Sequence, residues 1–112
     1  MFSQQHRLGK TADVQKVFAR GRAFFDTLLT VKFLARPAGL PRFTVVVSTK
    51  VAKSAVKRNR IKRLVREFLR RRLPEFKAGD YAVVIKPAAA KKPESELLKS
   101  LAAVYARQKA VR

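Results

Sequence analysis

The sequence predicts an α+β two-layer sandwich, a small mixed sheet with helices packed on it, in the order α-β-β-α-β-α. Three observations predict it. Segments with helical period alternate with segments rich in Val, Phe, Thr and Leu. Clusters of turn-forming residues fall between them. The 112 residues, 47% of them hydrophobic, suit one folded domain over positions 1–112, with no internal repeat to divide it.

A first helix is expected over Thr11–Arg20. Thr11 stands as its N-cap, Asp13 suits the positive end of the helix dipole, and Gly21 occupies the place of a C-cap glycine. Val14, Val17 and Phe18 share one face. Two strands follow, Leu28–Leu34 and Arg42–Ser48. The turn-rich stretch between them predicts an antiparallel hairpin, with Phe43, Val45 and Val47 on one side and Thr44, Val46 and Ser48 on the other. The longest helix is expected from Ser54, as N-cap, to Leu73, with Pro74 ending it. Ile61, Leu64, Val65, Phe68 and Leu69 form its apolar stripe, which must pack on the sheet. A turn at Lys77–Asp80 leads into a third strand, Tyr81–Lys86. After the linker 87–92, Pro93 opens a last helix with Glu94 and Glu96 in its first turn. Leu97, Leu98, Leu101, Val104 and Tyr105 make its buried face.

Composition excludes several function classes. There are no cysteines, so disulfides, thiolate zinc sites and thiol catalysis are out. The one histidine, His6, has no evident partner for a nucleophilic triad. Asp13, Asp26 and Asp80 fall on different elements, with no spacing that suggests a shared metal. No apolar run approaches the roughly 18 residues that would span a bilayer. The N-terminal residues lack the apolar stretch of a signal peptide, so the expected compartment is the cytoplasm. With 27 basic and 7 acidic side chains the net charge is +20, and self-repulsion on that scale calls for a polyanionic partner. In the cytoplasm that means RNA or DNA before any membrane.

The charge is concentrated. Lys50, Lys53, Lys57, Arg58, Arg60, Lys62, Arg63, Arg66, Arg70, Arg71 and Arg72 fall within one stretch that holds a single acid, Glu67. At 100° per residue, Asn59, Lys62, Arg63, Arg66 and Arg70 share the face opposite the apolar stripe. A merely solvated face would mix signs. Here Arg58–Lys62, Lys62–Arg66 and Arg66–Arg70 are like-charge pairs at i,i+4, each destabilising by about 0.2–0.5 kcal/mol unless a phosphate backbone neutralises them. Asn59 within the cluster suits either a base edge or 2′-hydroxyl, or a local backbone cap.

The run Lys57-Arg58-Asn59-Arg60-Ile61-Lys62-Arg63-Leu64-Val65-Arg66-Glu67 resembles the RNR signature of the protein subunit of bacterial ribonuclease P. Lys16-Val17-Phe18-Ala19-Arg20-Gly21 resembles that family's first helix and glycine, and Asp80-Tyr81-Ala82-Val83-Val84-Ile85 its last strand. The likeness covers nearly the whole chain. It implies a fold related to a domain of ribosomal protein S5. It also implies binding to the catalytic RNA of ribonuclease P and to the 5′ leader of precursor tRNA. The RNA would perform the hydrolysis with bound Mg²⁺, and the protein would supply no catalytic residue and no metal site. DNA and membrane are not expected partners. By the resemblance, Lys50, Lys53, Lys57, Arg58, Asn59, Arg60, Lys62, Arg63 and Arg66 contact RNA, and Val14, Phe18 and Lys32 line a leader cleft. Phe18 would stack on an unpaired base there, or else serve as core at helical spacing. Family members often carry aromatics where this chain has Val14 and Lys32, and a lysine and a glycine where it has Thr49 and Ala52. Two rival readings remain from composition alone: a small ribosomal or RNA-chaperone protein, and a metal-dependent nuclease acting without RNA.

Overall fold

The computed structural model describes residues 4–110. Helix α1 covers Thr11–Arg20, followed by strands β1 (Arg22–Phe25), β2 (Leu29–Ala35) and β3 (Arg42–Val47). Helix α2 covers Ala55–Arg70, strand β4 Gly79–Ile85 and helix α3 Glu94–Ala110. Short 3-10 turns lie at Gln4–His6, Leu73–Glu75 and Pro87–Lys91.

The sheet order is β1-β2-β4-β3. Strand β4 pairs antiparallel with β2 and parallel with β3. The expected hairpin between β2 and β3 is therefore overturned, because β4 lies between them. In that central place β4 is covered on both faces, with Ala82 packed beneath Val17 of α1, and all but one of its residues are buried, while the segment 36–41 passes over its end. The parallel pairing of β3 and β4 in turn requires a crossover, which α2 supplies. The antiparallel hairpin is instead formed by β1 and β2, with Arg22 opposite Phe33 and Phe25 opposite Thr30. Strand β1 is an addition to the expected order. It is only four residues long and opens on an exposed arginine, so period-2 reasoning passes over it. Its turn is fixed locally, where Asp26 Oδ2 accepts from the Leu28 amide at 3.0 Å.

Alternation assigns the faces. Phe43, Val45 and Val47 of β3 are buried, as expected, with Tyr81, Val83 and Ile85 of β4 and Leu29 and Val31 of β2. This face packs on α2 through Ile61, Val65, Phe68 and Leu69, and on α3 through Leu97, Leu101 and Val104. At its centre the Tyr81 ring stacks between its cross-strand neighbours, 4.7 Å from Phe33 and 4.8 Å from Phe43. Burial on this scale drives the sandwich. The other face of the sheet is only partly covered. There Val17 of α1, fully buried, packs with Leu8 and Ala82, and Val14 and Leu34 lean against them.

The ends of the elements differ in detail from expectation. Thr11 is the first helical residue, and Lys10 is the cap, without a side-chain bond. Gly21 does cap the C-terminus, donating its amide to the Val17 carbonyl. A Cβ there would lie 2.3 Å from that oxygen, so close approach demands the glycine. Ser54 caps α2 by accepting from the Lys57 amide. The helix stops at Arg70, before Pro74, which sits in the 3-10 turn that follows. Gly79 and Asp80, expected in a turn, already belong to β4, which ends at Ile85 rather than Lys86.

Candidate nucleic-acid interface

Helix α2 lies with its apolar stripe on the core, so its cations face outward. Asn59, Arg60, Arg63 and Arg70 are exposed, while Lys62 and Arg66 are half-buried. Lys50, Lys53 and Lys57 are exposed around the entry to the helix. The predicted cluster is brought together, but its members are not equivalent.

Arg58 turns back on the chain. Its guanidinium donates to the carbonyls of Ala52 and Lys53 at 2.9 and 2.8 Å, clamping the turn before the helix. Arg60 reaches towards α3 and pairs with Glu94, Nε to Oε2 at 2.6 Å. That pairing holds the Glu94 carboxyl below its usual range. Arg70 and Arg71 both bind Glu67, at 2.5 and 3.2 Å. Their hydrogen bonds, Arg70 first, pull the Glu67 carboxyl down to about 2. Acids thus neutralise the side of α2 that faces α3. The opposite side, towards the β3 edge, carries Lys62 and Arg66 and is met by Arg7. Desolvation, and then the Arg7 charge, lower the Arg66 pKa from its ordinary value, although a guanidinium stays protonated at neutral pH. Arg7 belongs to this surface through its bridge to Phe43 on the outer side of β3, which no spacing in the sequence signals.

The half-covered face of the sheet supplies the second part. Phe18, at the C-terminal end of α1, keeps 38% of its surface exposed, so it is not core; the buried residue is its neighbour Val17. Lys32 crosses beneath it, donating its Nζ to the Phe18 carbonyl at 2.7 Å and lying 5.8 Å from the ring centre. Val14 lies one turn earlier on α1 and is half-buried. It packs on Leu8, Val17 and Ala82 and helps hold α1 to the sheet. Beyond the end of α1, register sets Phe25, Thr30, Val84 and Val46 side by side across all four strands. Val84 is the one half-buried residue of β4, Val46 falls on the half-buried side of the alternating β3, and Phe25 is 63% exposed. Sequence reasoning missed this row because it lacked β1 and misplaced β4. The alternation of Val83 and Val84 was the available signal.

The acids are otherwise engaged. Asp80, on β4, takes two hydrogen bonds from Arg42 at 2.8 Å, and Arg42 also reaches Asp13 of α1 at 3.5 Å. His6 has its Nδ1 2.8 Å from the Pro41 carbonyl oxygen. Among the described residues no three His, Cys, Asp or Glu side chains are grouped to hold a metal ion. No helix among them is long and apolar enough to cross a membrane.

Comparison with known proteins agrees with this arrangement. The family model Ribonuclease P matches residues 2–109. A ribonuclease P protein component from Chromobacterium violaceum is 39% identical over 95% of this chain and 88% of its own length. One from Xanthomonas oryzae pv. oryzae is 40% identical over 80% of this chain, a match that spans 61% of the longer relative. The solved RNase P protein of Staphylococcus aureus superposes with a TM-score of 0.86 at 27% identity, covering 93% of this chain and 95% of that one. Sequence and fold together put this chain in the ribonuclease P protein family, the protein component of a tRNA-processing ribonucleoprotein.

Proposed function

We propose that this protein assists removal of the 5′ leader of precursor tRNA by binding two RNAs at once. The acid-free side of α2 docks on the catalytic RNA of ribonuclease P, through Asn59, Lys62, Arg63 and Arg66 with Lys50, Lys53 and Lys57 at the helix entry. The half-covered sheet face, entered past Phe18 and Lys32, holds the unpaired leader. The observation that carries the reading is the division of the α2 charge. Two acids neutralise the α3 side, and among the described residues none pairs with Lys62, Arg63 or Arg66. A polyanion meets a directed surface, and its counterions are released on binding.

In this reading the RNA carries out the hydrolysis with its bound Mg²⁺. The protein contributes charge that lowers the Mg²⁺ needed to fold the RNA, and a grip on the leader that favours precursor over mature tRNA. Arg58 supports the site indirectly, by holding the Ala52–Lys53 turn. The test is a cleavage assay at low Mg²⁺ and near-physiological salt, with protein, a bacterial ribonuclease P RNA and a leader-bearing precursor tRNA. Correct 5′ cleavage only when protein and RNA are both present is the expected result. Cleavage by the protein without RNA would point to a nuclease in its own right. No effect with any of several RNA types would leave a general RNA-binding protein.

A further inference from the structure

Among the described residues Phe25 is the most exposed aromatic side chain, at 63%, yet it sits within a strand. Its backbone is held on both sides, paired with Thr30 in β2 and capped by Arg107 of α3, which donates to the Phe25 carbonyl. An aromatic ring on so fixed a base is presented rather than loosely exposed. Alternation puts it on the half-covered face, because its neighbour Phe24 packs into the main core. Register extends from it through Thr30, Val84 and Val46, a floor that α1 leaves open. Lys86 stands over the ring at 6.0 Å from its centre, with its Nζ donating to the Asp26 carbonyl. Phe18 lies on the same face, with Lys32 Nζ 5.8 Å from its ring. Two exposed rings, each with a lysine beside it, therefore share one face of the sheet with the uncharged row Thr30, Val84 and Val46.

We propose that Phe25 is a base-stacking residue for the leader strand, with Lys86 beside it meeting a phosphate. Together they extend the track from Phe18 to the outer edge of β1. The inference rests on the leader-binding reading above. Aromatic rings and lysines in alternation suit unpaired nucleic acid, because every base offers a π-face and every nucleotide a phosphate. An apolar protein segment would not need the two lysines. A duplex could not lay its stacked bases on either ring.

The experiment uses the holoenzyme, reconstituted with a bacterial ribonuclease P RNA, and precursor tRNAs with short and long leaders. Phe25→Leu should weaken binding of the long-leader substrate by about 5-fold or more, from the lower end of base-stacking strength. Mature tRNA should bind unchanged. The chain has no tryptophan, so Phe25→Trp introduces a single reporter at the site. Its fluorescence should be quenched by the long-leader substrate and not by mature tRNA, with affinity retained. Unquenched fluorescence on a bound long leader, or equal affinity of Phe25→Leu for every leader length, overturns the role of Phe25 alone. Failure of the unaltered holoenzyme to prefer precursor over mature tRNA overturns the leader-binding reading, and the Phe25 inference with it.

Discussion

At Asp80 a carboxylate with 4% of its residue surface exposed binds two cations, Arg42 through paired hydrogen bonds at 2.8 Å and Arg36 at 3.3 Å. Arg42 lies on the strand beside β4, and Arg36 just past the end of the strand on the other side. A buried charge is tolerable only when paired in this way, and removing one partner leaves the others uncompensated. Asp80→Ala should therefore cost about 2–3 kcal/mol, discounted for the quarter exposure of the arginines. The melting temperature should fall by roughly 10 °C. A melt shifted by only a degree or two would mean that water replaces the carboxylate. The network also reaches Asp13 in α1, so the same change should loosen that helix. Individually, Asp13, Arg36, Arg42 and Asp80 are unremarkable in the sequence. Their meeting depends on β4 lying between β2 and β3, which local spacing does not encode.

At the scale of the element, α2 is an amphipathic helix whose cations fall into two groups. On one side Glu94 and Glu67 bind Arg60, Arg70 and Arg71. The other group, Arg63, Lys62 and Arg66, is without an acid at ion-pair distance among the described residues. If the second group carries the RNA contacts, Arg63→Ala should lower the salt slope of RNA binding by about 0.7–0.9. Arg60→Ala should change it less, because Glu94 already neutralises Arg60. Binding titrations over a range of salt concentrations measure both. Equal effects would mean that Glu94 releases Arg60 to a phosphate when RNA arrives. Period and spacing were enough to find this helix, its Ser54 cap and its apolar stripe, since all three are local. They could not sort the cations, because the partner of Arg60 is 34 residues away on α3.

Across the whole molecule, a net charge of +20 makes anions and acidity opposite influences on stability. Sulfate or phosphate should raise the melting temperature, and an unmoved melt in either salt would argue against charge strain. Acid should do the reverse. Glu67, Glu75 and Glu94 all titrate below their ordinary value in the folded protein, mainly through hydrogen bonds from Arg70, Lys109 and Arg60 respectively. A carboxyl depressed by folding contributes stability that is present above its unfolded pKa and is lost as pH falls towards its folded one. Stability should hold down to about pH 4.5 and decline towards about 2, the value that Glu67 reaches. All three groups are exposed, so the decline should be gradual and weaker in high salt. Thermal melts at stepped pH check the window, and a loss of stability already complete above pH 4.5 would overturn it.

By itself the sequence determined the α+β class, all three helices, the face assignment in β3, and the cationic helix with its RNR run. These features depend on period, capping and composition, which act within a few residues. Tertiary structure decided the strand order, the β1–β2 hairpin, and which surface stays open. Those depend on contacts between segments far apart in the chain, which set β4 between β2 and β3 and cover it on both faces. Once β4 is central, Val84 faces outward between Thr30 and Val46, and Phe25 completes the row at the edge. The candidate leader surface is thus a product of which strands become neighbours, and short-range spacing carries no record of that.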